Sequence, residues 1–285
     1  MNSYANLNTL KGASFLNTTD NKWDADLLAA LEEGSREIDK DTDRYFYIYE
    51  GIKYYDGGTT RVILDDDVYS ITSLEVDTDG SYQYASVFNL GSTSGQVDAF
   101  VYPLNITPVT RIEANPQGNY GHFAAGYRKS IKITGRFGYG DDYPALPYNA
   151  IGDTVVDAPL LIGATSLTVT NGNLFSAGMT LRIESEQLYV YQNPTGNSVP
   201  IQRACNGTTA AAHVATTPIY LYSYPRAISK AVLIYAMRTW KRKESAFQNV
   251  VASPELGGFQ VWKGDDPDYL KAVKLYHKTR RGWYL

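Results

Sequence analysis

Residues 225–243 read PRAISKAVLIYAMRTWKRK, which has the hydrophobic spacing of an α-helix. Pro225 suits the position ahead of a helix, and the three cations that end the run suit a helix C-terminus. A second apolar stripe runs beside the first, and a helix that is apolar on two sides must be covered on two sides. We therefore expect this helix to lie at the centre of a packed unit, with its basic end in solvent.

A second helical pattern runs from Asp24, a suitable N-cap residue, to about Lys40. Gly34 and Ser35 fall on its apolar face, where small side chains let another helix approach closely. The helix that begins near Arg226 is the natural partner. The residues that we expect to pack the two helices together are Leu27, Leu31, Ile38, Ile228, Val232, Tyr235 and Trp240.

Two β-rich regions separate the helical ends of the chain. Short strand patterns between turn signals favour an antiparallel sheet in the first region and a small barrel or sandwich in the second. The predicted fold class is therefore α+β: a small helical bundle from the N- and C-terminal helices, with two inserted antiparallel β regions. The predicted segments are the N-terminal helices (1–44), the first β region (45–148), the inserted small β domain (149–224), and the C-terminal helices with a tail (225–285).

Local patterns predict the individual elements within these segments. A short helix is expected at 7–16 with Asn8 as its N-cap, and a last helix from Asp266-Pro267 to Arg281. Asp65-Asp66-Asp67 is interpreted as a solvated turn, because the alternating ligands of a calcium loop are absent. Residues 252–266 are interpreted as a loop. The predicted strands include 45–49, 61–64, 71–76, 131–137, 166–170, 179–184, 187–192, 199–203 and 218–222.

The net charge of −4 conceals an asymmetry along the chain. From Arg226 onward there are 12 Lys and Arg residues and 5 Asp and Glu residues, whereas the preceding part has 14 and 25. A basic end on an acidic body indicates an acidic partner or DNA, and a merely solvated basic face is the alternative. We expect no membrane-spanning segment and no secretory signal, because no apolar run has the required length or flanking charges.

The sequence shows no constellation that favours catalysis, a cofactor or a metal. His122, His213 and His277 are far apart and have no ligand partner at helical spacing. Cys205, the single cysteine, excludes an internal disulfide and has no nearby histidine that would favour a catalytic thiol. Glu184 and Glu186 alternate on one strand like a glycosidase pair, but their spacing does not indicate a sugar cleft. We therefore expect a protein that is not an enzyme.

Four segments together resemble a known family. They are Leu27–Asp39, the strand pair within Tyr54–Val76, the strand Ile131–Phe137 running into Gly138-Tyr139-Gly140, and Pro225–Trp240. Their order and spacing are similar to those of the head–tail connector (adaptor) proteins of tailed bacteriophages, which dock beneath the portal. The chain departs from the family where residues 150–224 separate the Gly-Tyr-Gly turn from the helix that usually follows it.

The resemblance implies a structural virion protein without enzymatic activity or cofactors. Such proteins form a ring of about twelve copies beneath the portal and line the DNA channel. The implied partners are the portal protein, neighbouring copies of the chain, a lower neck or tail-completion protein, and genomic double-stranded DNA that passes without sequence recognition. The implied location is the neck of the virion, after assembly in the host cytoplasm. An acidic body would suit a channel wall that repels DNA.

In the family, the C-terminal helix and tail reach into the portal, and the corresponding segment here is Asp268–Leu285. Its basic and aromatic residues are of the types that dominate interfaces. The alternative is that Trp283 and Leu285 fold back onto the core. The candidate portal-binding residues are Lys271, Lys274, Lys278, Arg280, Arg281, Trp283, Tyr284 and Leu285.

A different class of function is a tail-associated glycan-binding module formed by residues 149–224. Its stacking platform would consist of four tyrosines at alternate strand positions: Tyr189, Tyr191, Tyr220 and Tyr222. A tyrosine stripe of this kind is more often part of a core or a protein interface than a sugar platform.

Overall fold

The computed structural model describes residues 2–13, 19–58, 60–91, 95–123, 127–139, 147–244, 250–253, 258–261 and 266–278. These residues fall into two compact units. The first contains the described residues within Met1–Asp43, Pro147–Cys205 and Thr209–Lys278, and the second those within Arg44–Leu146 and Asn206–Thr208.

Four α-helices are present in this part of the chain: α1 (Leu7–Lys11), α2 (Asp24–Thr42), α3 (Arg226–Glu244) and α4 (Pro267–Tyr276). The second unit contains β1 (Tyr49–Tyr55), β2 (Arg61–Val76), β3 (Ser86–Val87), β4 (Ala99–Tyr102), β5 (Val109–Ala114) and β6 (Ile131–Phe137). The first unit contains β7 (Tyr148–Thr154), β8 (Ser166–Thr168), β9 (Thr180–Ile183), β10 (Glu186–Val190), β11 (Ser198–Gln202), β12 (Pro218–Tyr222), β13 (Val250–Ser253) and β14 (Gly258–Val261).

The predicted fold class is wrong, because the protein is mainly β. Twelve of the strands form two six-stranded antiparallel sheets, and the helices are a minor part of the structure. The helices also do not form a separate bundle, since the N-terminal ones lie on β strands. Tyr189 of β10 donates a hydrogen bond to Glu32 of α2 at 2.6 Å, and the amide of Leu7 donates to the carbonyl of Ala177 at 2.9 Å. Long helices give a strong periodic signal in the sequence. Short strands give a weaker signal, because they gain their stability from neighbours that are distant in sequence.

The first sheet has the order β1-β6-β2-β5-β4, with β3 beside the end of β2. Strand β2 is 16 residues long; its first half pairs with β5 and its second half with β6. Strand β6 alternates strictly between the two faces. Ile131, Ile133 and Phe137 are buried in the core, whereas Lys132 and Arg136 lie on the outer face.

Strand β2 corrects two predictions. The expected strands 61–64 and 71–76 are one continuous strand, and Asp65-Asp66-Asp67 lies inside it instead of forming a turn. Cations beside the carboxylates make this compatible with a strand. Lys53 lies 2.6 Å from Asp66, and Arg44 lies 2.7 Å from the buried Asp67. The predicted strand 45–49 is also displaced, because β1 begins at Tyr49.

The second sheet has the order β7-β12-β9-β10-β11-β8. The amide of Val156, just after β7, donates to the carbonyl of Thr168 in β8 at 3.0 Å. The two edges of the sheet therefore meet and close it into a small barrel around a core of aliphatic residues and Phe175. The five strands predicted between residues 166 and 222 are confirmed as β8 to β12, and β7 is a sixth strand that the sequence patterns missed.

The predicted approach of two helices at Gly34 is confirmed. A Cβ atom at Gly34 of α2 would lie 2.8 Å from the ring of Tyr235 in α3, so only glycine allows this contact without a shift. Other local predictions are corrected: Asn6 caps α1 instead of Asn8, and Trp23 precedes α2 where Asp24 was expected as the N-cap. The segment 252–266 was predicted as a loop, but it contains part of the β13–β14 hairpin and ends at Asp266, the N-cap of α4.

Candidate functional site

Helix α4 is held firmly on the other helices of its unit. Asp266 caps it by accepting hydrogen bonds from the amides of Asp268 and Tyr269. The buried Tyr269 donates its hydroxyl hydrogen bond to Asp41 of α2 at 2.7 Å. The amide of Lys278, just beyond α4, donates to the carbonyl of Thr42 at 2.8 Å. Helix α4 is thus fixed at both ends.

The opposite side of α4 is exposed and combines aliphatic with basic residues. We call Leu270, Lys271, Lys274 and Leu275 the α4 face. All four are exposed, and Leu275, at 68% exposure, is among the most exposed large hydrophobic side chains. Spacings of three and four residues place them on one side of the helix. Lys278, a further predicted contact, is half-buried.

The remaining predicted portal-binding residues, Arg280, Arg281, Trp283, Tyr284 and Leu285, lie outside the described residues.

The predicted helix-packing residues are unequally buried. Tyr235 and Trp240 are half-buried, and the other five, Leu27, Leu31, Ile38, Ile228 and Val232, are fully buried. Tyr235 donates a hydrogen bond to Glu33 at 3.1 Å, and burial, with the neighbouring Glu33 carboxylate, raises the pKa of Tyr235 to about 12. Trp240 lies edge-on to Trp23, with ring centroids 5.7 Å apart.

The basic end of α3 is partly neutralised within the chain. The ammonium group of Lys243 lies 2.6 Å from Asp26 and also rests over the rings of Trp23 and Trp240. The α4 face is therefore the clearer exposed basic surface on the described helices.

The structure brings together residues that the sequence analysis had treated separately. Glu186, Arg203 and His213 form what we call the buried cluster, and the exposed Glu184 lies at its edge. Arg203 binds Glu186 with two parallel hydrogen bonds of 2.7 and 2.6 Å. The two ring nitrogens of His213 lie 2.8 Å from Glu184 and Glu186, respectively. Pattern reasoning missed the cluster because strand pairing and a long loop, not local spacing, bring its members together.

The buried cluster holds the loop between β11 and β12 in place and is not a reaction site. The side chains of Glu186 and His213 are completely buried, so no substrate reaches them. The amides of Ala204 and Ala211 also donate to Glu186, which satisfies its carboxylate. Burial favours the neutral acid, but hydrogen bonds from Arg203, His213 and the two amides outweigh it and lower the pKa of Glu186 to about 2. The cluster therefore ties the loop between β11 and β12 to the barrel.

The four tyrosines of the predicted sugar platform do not form one exposed surface. Tyr191 and Tyr220 are exposed, whereas Tyr189 and Tyr222 are buried. Tyr189 bonds to Glu32, and Tyr222 packs between the rings of Tyr148 and Tyr224. Only two of the four rings are open to a ligand.

The other candidate groups show no sign of reactivity. Cys205 is buried, and burial raises the pKa of its thiol. His122 and His277 are both exposed. Among the described residues, no group of three His, Cys, Asp or Glu side chains could hold a metal ion. In the same part of the chain, no helix combines the length and apolar character that a membrane crossing requires.

Comparison with known protein families found no family that matches the sequence, and comparison with curated proteins found no matching relative.

Proposed function

We propose that this protein is a head–tail connector of a tailed bacteriophage, forming a ring between the portal and the lower neck around the DNA path. It performs no chemistry and acts as an adaptor between two larger assemblies. The observation that carries the proposal is the α4 face, an exposed set of aliphatic and basic residues on a helix that is fixed at both ends. The resemblance of the four sequence segments to the connector family gives the proposal its partner.

The α4 face has the composition of a docking surface. Leu270 and Leu275 can bury apolar area against a partner, while Lys271 and Lys274 lie beside them to pair with acidic groups at the rim. A helix that is already ordered loses little conformational entropy on binding, which favours affinity. We propose that this face and the C-terminal residues that follow it bind the portal.

The distribution of charge supports the same arrangement. The acidic part of the chain before Arg226 suits the wall of a channel through which DNA slides, because like charges repel the phosphates. The basic C-terminal part suits an acidic protein partner. Under this proposal the protein guides the DNA without binding it.

Cross-linking mass spectrometry on intact source particles tests the proposal. Lys271, Lys274 and Lys278 should form cross-links to the portal subunit. Lys22, an exposed lysine at the opposite end of α2 from its contact with α4, is the internal control and should give fewer portal links. Links from the three α4-region lysines only to tail-tip or fibre proteins, with none to the portal, would overturn the proposal.

A binding experiment sharpens the result. Leu275→Asp should weaken capture of the protein by purified portal several-fold, because it removes apolar contact area and places a carboxylate beside Lys271, which lowers the positive charge of the face. Val87→Asp is the matched control, since Val87 is a similarly exposed aliphatic residue on β3. Equal capture of both variants and the original protein would reject the α4 face as the portal contact.

A further inference from the structure

Lys11, the last residue of α1, holds its amine in a buried position against a side-chain amide. Its Nζ atom lies 2.9 Å from the amide oxygen Oδ1 of Asn21 and 2.7 Å from the carboxylate oxygen Oδ1 of Asp24. An amine, a carboxamide and a carboxylate therefore meet at one point in the fold. The proposed portal contact does not use this group of side chains.

Lys11 differs in burial from other lysines that form ion pairs in the described chain. The side chains of Lys53 and Lys132 are 29% and 23% exposed and each contacts a carboxylate, whereas that of Lys11 is 8% exposed. A charge that little water reaches is costly to keep. Transfer of one proton across the 2.7 Å contact converts the pair at Lys11 into a neutral amine and a neutral acid.

The backbone on both sides of the contact is held in place. Helix α1 is anchored where the amide of Leu7 donates to the carbonyl of Ala177 at 2.9 Å. The turn before α2 is closed by the amide of Asp24, which donates to the carbonyl of Asn21 at 3.2 Å. Because a carbonyl bond is about 1.2 Å long, Nζ of Lys11 lies within roughly 4 Å of the amide carbon Cγ. Such fixed proximity replaces a bimolecular encounter and favours reaction.

We propose that Lys11 and Asn21 form an isopeptide bond, with Asp24 carrying the protons. Asp24 accepts a proton from the Lys11 ammonium group, and the lone pair of Nζ then attacks Cγ of Asn21. Asp24 passes the proton to Nδ2 and accepts a second proton from Nζ. The Cγ–Nδ2 bond breaks as the carbonyl forms again, and the second proton leaves with the ammonia as ammonium.

The reaction needs no oxidant, reductant or further reactant, and Asp24 ends as the carboxylate that it was at the start. The bond ties the end of α1 to the turn before α2 and closes residues 11–21 into a covalent ring. A cross-link of this kind restricts the unfolded chain, as a disulfide does. The inference goes beyond the connector function and does not depend on it.

Mass spectrometry of the full-length protein tests the bond. The intact protein should be lighter than its sequence by one molecule of ammonia. Trypsin should release residues 1–22 as a single peptide with this loss, because a lysine in an isopeptide bond resists cleavage. Chymotryptic cleavage inside residues 12–20 should leave the two halves joined. A succinimide formed by another asparagine lowers the mass equally but leaves Lys11 open to trypsin.

Two variants separate the reacting amine from the proton carrier. Lys11→Arg is the matched control, because it keeps a cation beside Asp24 but its guanidinium group is a poor nucleophile, and it should have the full mass. Asp24→Asn keeps the size of the side chain and should form the joined peptide at least about 100 times more slowly. Circular dichroism checks that both variants fold.

Two results would overturn the proposal. If the original protein has its full mass and trypsin releases residues 12–22 even after prolonged incubation, the contact is an ordinary ion pair. This result does not depend on how well either variant folds. Formation of the bond at an unchanged rate in a folded Asp24→Asn variant would remove Asp24 from the reaction.

Discussion

The first sheet and the barrel differ in where most of their ion pairs lie. In the first sheet, ion pairs lie across the outer face, where Lys132 contacts Glu75 at 2.7 Å and Arg136 contacts Glu50 at 3.3 Å. In the barrel, Glu186 and Arg203 are buried, and the loops expose the aliphatic side chains of Leu161, Ile162 and Val214.

This difference indicates which interactions hold each region together. Partly exposed pairs contribute little, because water and salt screen them and two long side chains must be ordered. A buried carboxylate that loses its partners, in contrast, is left in a medium that does not solvate charge. We therefore expect the barrel to depend on the Glu186 cluster. The outer-face pairs of the first sheet should contribute little beside its apolar core, its strand pairing and the buried Arg44–Asp67 pair.

The largest expected effect is that of Glu186→Gln. It leaves Arg203 buried without its carboxylate partner and His213 with Glu184 alone, which should cost about 3–5 kcal/mol of unfolding free energy. Glu75→Gln in the first sheet is the matched control and should cost less than about 1 kcal/mol. Urea denaturation followed by circular dichroism measures both. Equal losses would show that the two sheets do not differ in this respect.

The second prediction concerns pH. The pKa of Glu186 in the folded protein, about 2, is lower than its usual value of 4.5, so the ionised carboxylate stabilises the fold above pH 4.5. This stabilisation should be lost as the pH falls from about 4.5 towards 2, and its size should be about 3 kcal/mol. The stability difference between the original protein and Glu186→Gln should shrink over that range. A difference that stays constant from pH 6 to pH 2.5 would contradict the assignment.

How well the sequence predicts each region depends on whether its structure is set by local signals or by residues distant in sequence. The strands β8 to β12 and the contact at Gly34 could be predicted, because strand composition, turn residues and helical spacing are local signals. Strand β2 could not, because Asp65-Asp66-Asp67 is extended beside Lys53 and Arg44, which are distant in sequence. Helical periodicity was also given too much weight, which led to the wrong fold class.

The residues of the candidate site show the same difference between local and long-range signals. The lysines of the α4 face were named from sequence, since a basic helix is a local feature. Leu270 and Leu275 were not named as part of a binding surface, because only packing shows which side of α4 is covered by Tyr269 and Ala272. The buried cluster was missed entirely, since Glu186 and His213 are joined by strand pairing and a loop.

The third prediction tests the strand contacts of the first sheet. A Cβ atom at Gly135 in β6 would lie 2.3 Å from the carbonyl oxygen of Ser70 in β2, so Gly135→Ala must push two strand backbones apart. We expect a loss of about 1–3 kcal/mol in unfolding free energy. Gly163→Ala in the barrel is the control, because no atom lies within 4 Å of its new methyl group, and it should change stability by less than about 0.5 kcal/mol. If Gly135→Ala leaves the unfolding free energy unchanged, β2 and β6 can move apart at this point without loss of stability.

The smallest expected effect on stability belongs to Leu161, in the loop between β7 and β8. Leu161→Ser should change the unfolding free energy by less than about 0.5 kcal/mol, since the side chain is mostly in solvent. Leu188→Ala is the matched control, because Leu188 is a fully buried leucine of the same barrel and its truncation should cost about 2–5 kcal/mol. Urea denaturation of the two variants separates residues that fold the barrel from residues exposed for another purpose. A loss at Leu161 as large as that at Leu188 would place Leu161 in the folding core.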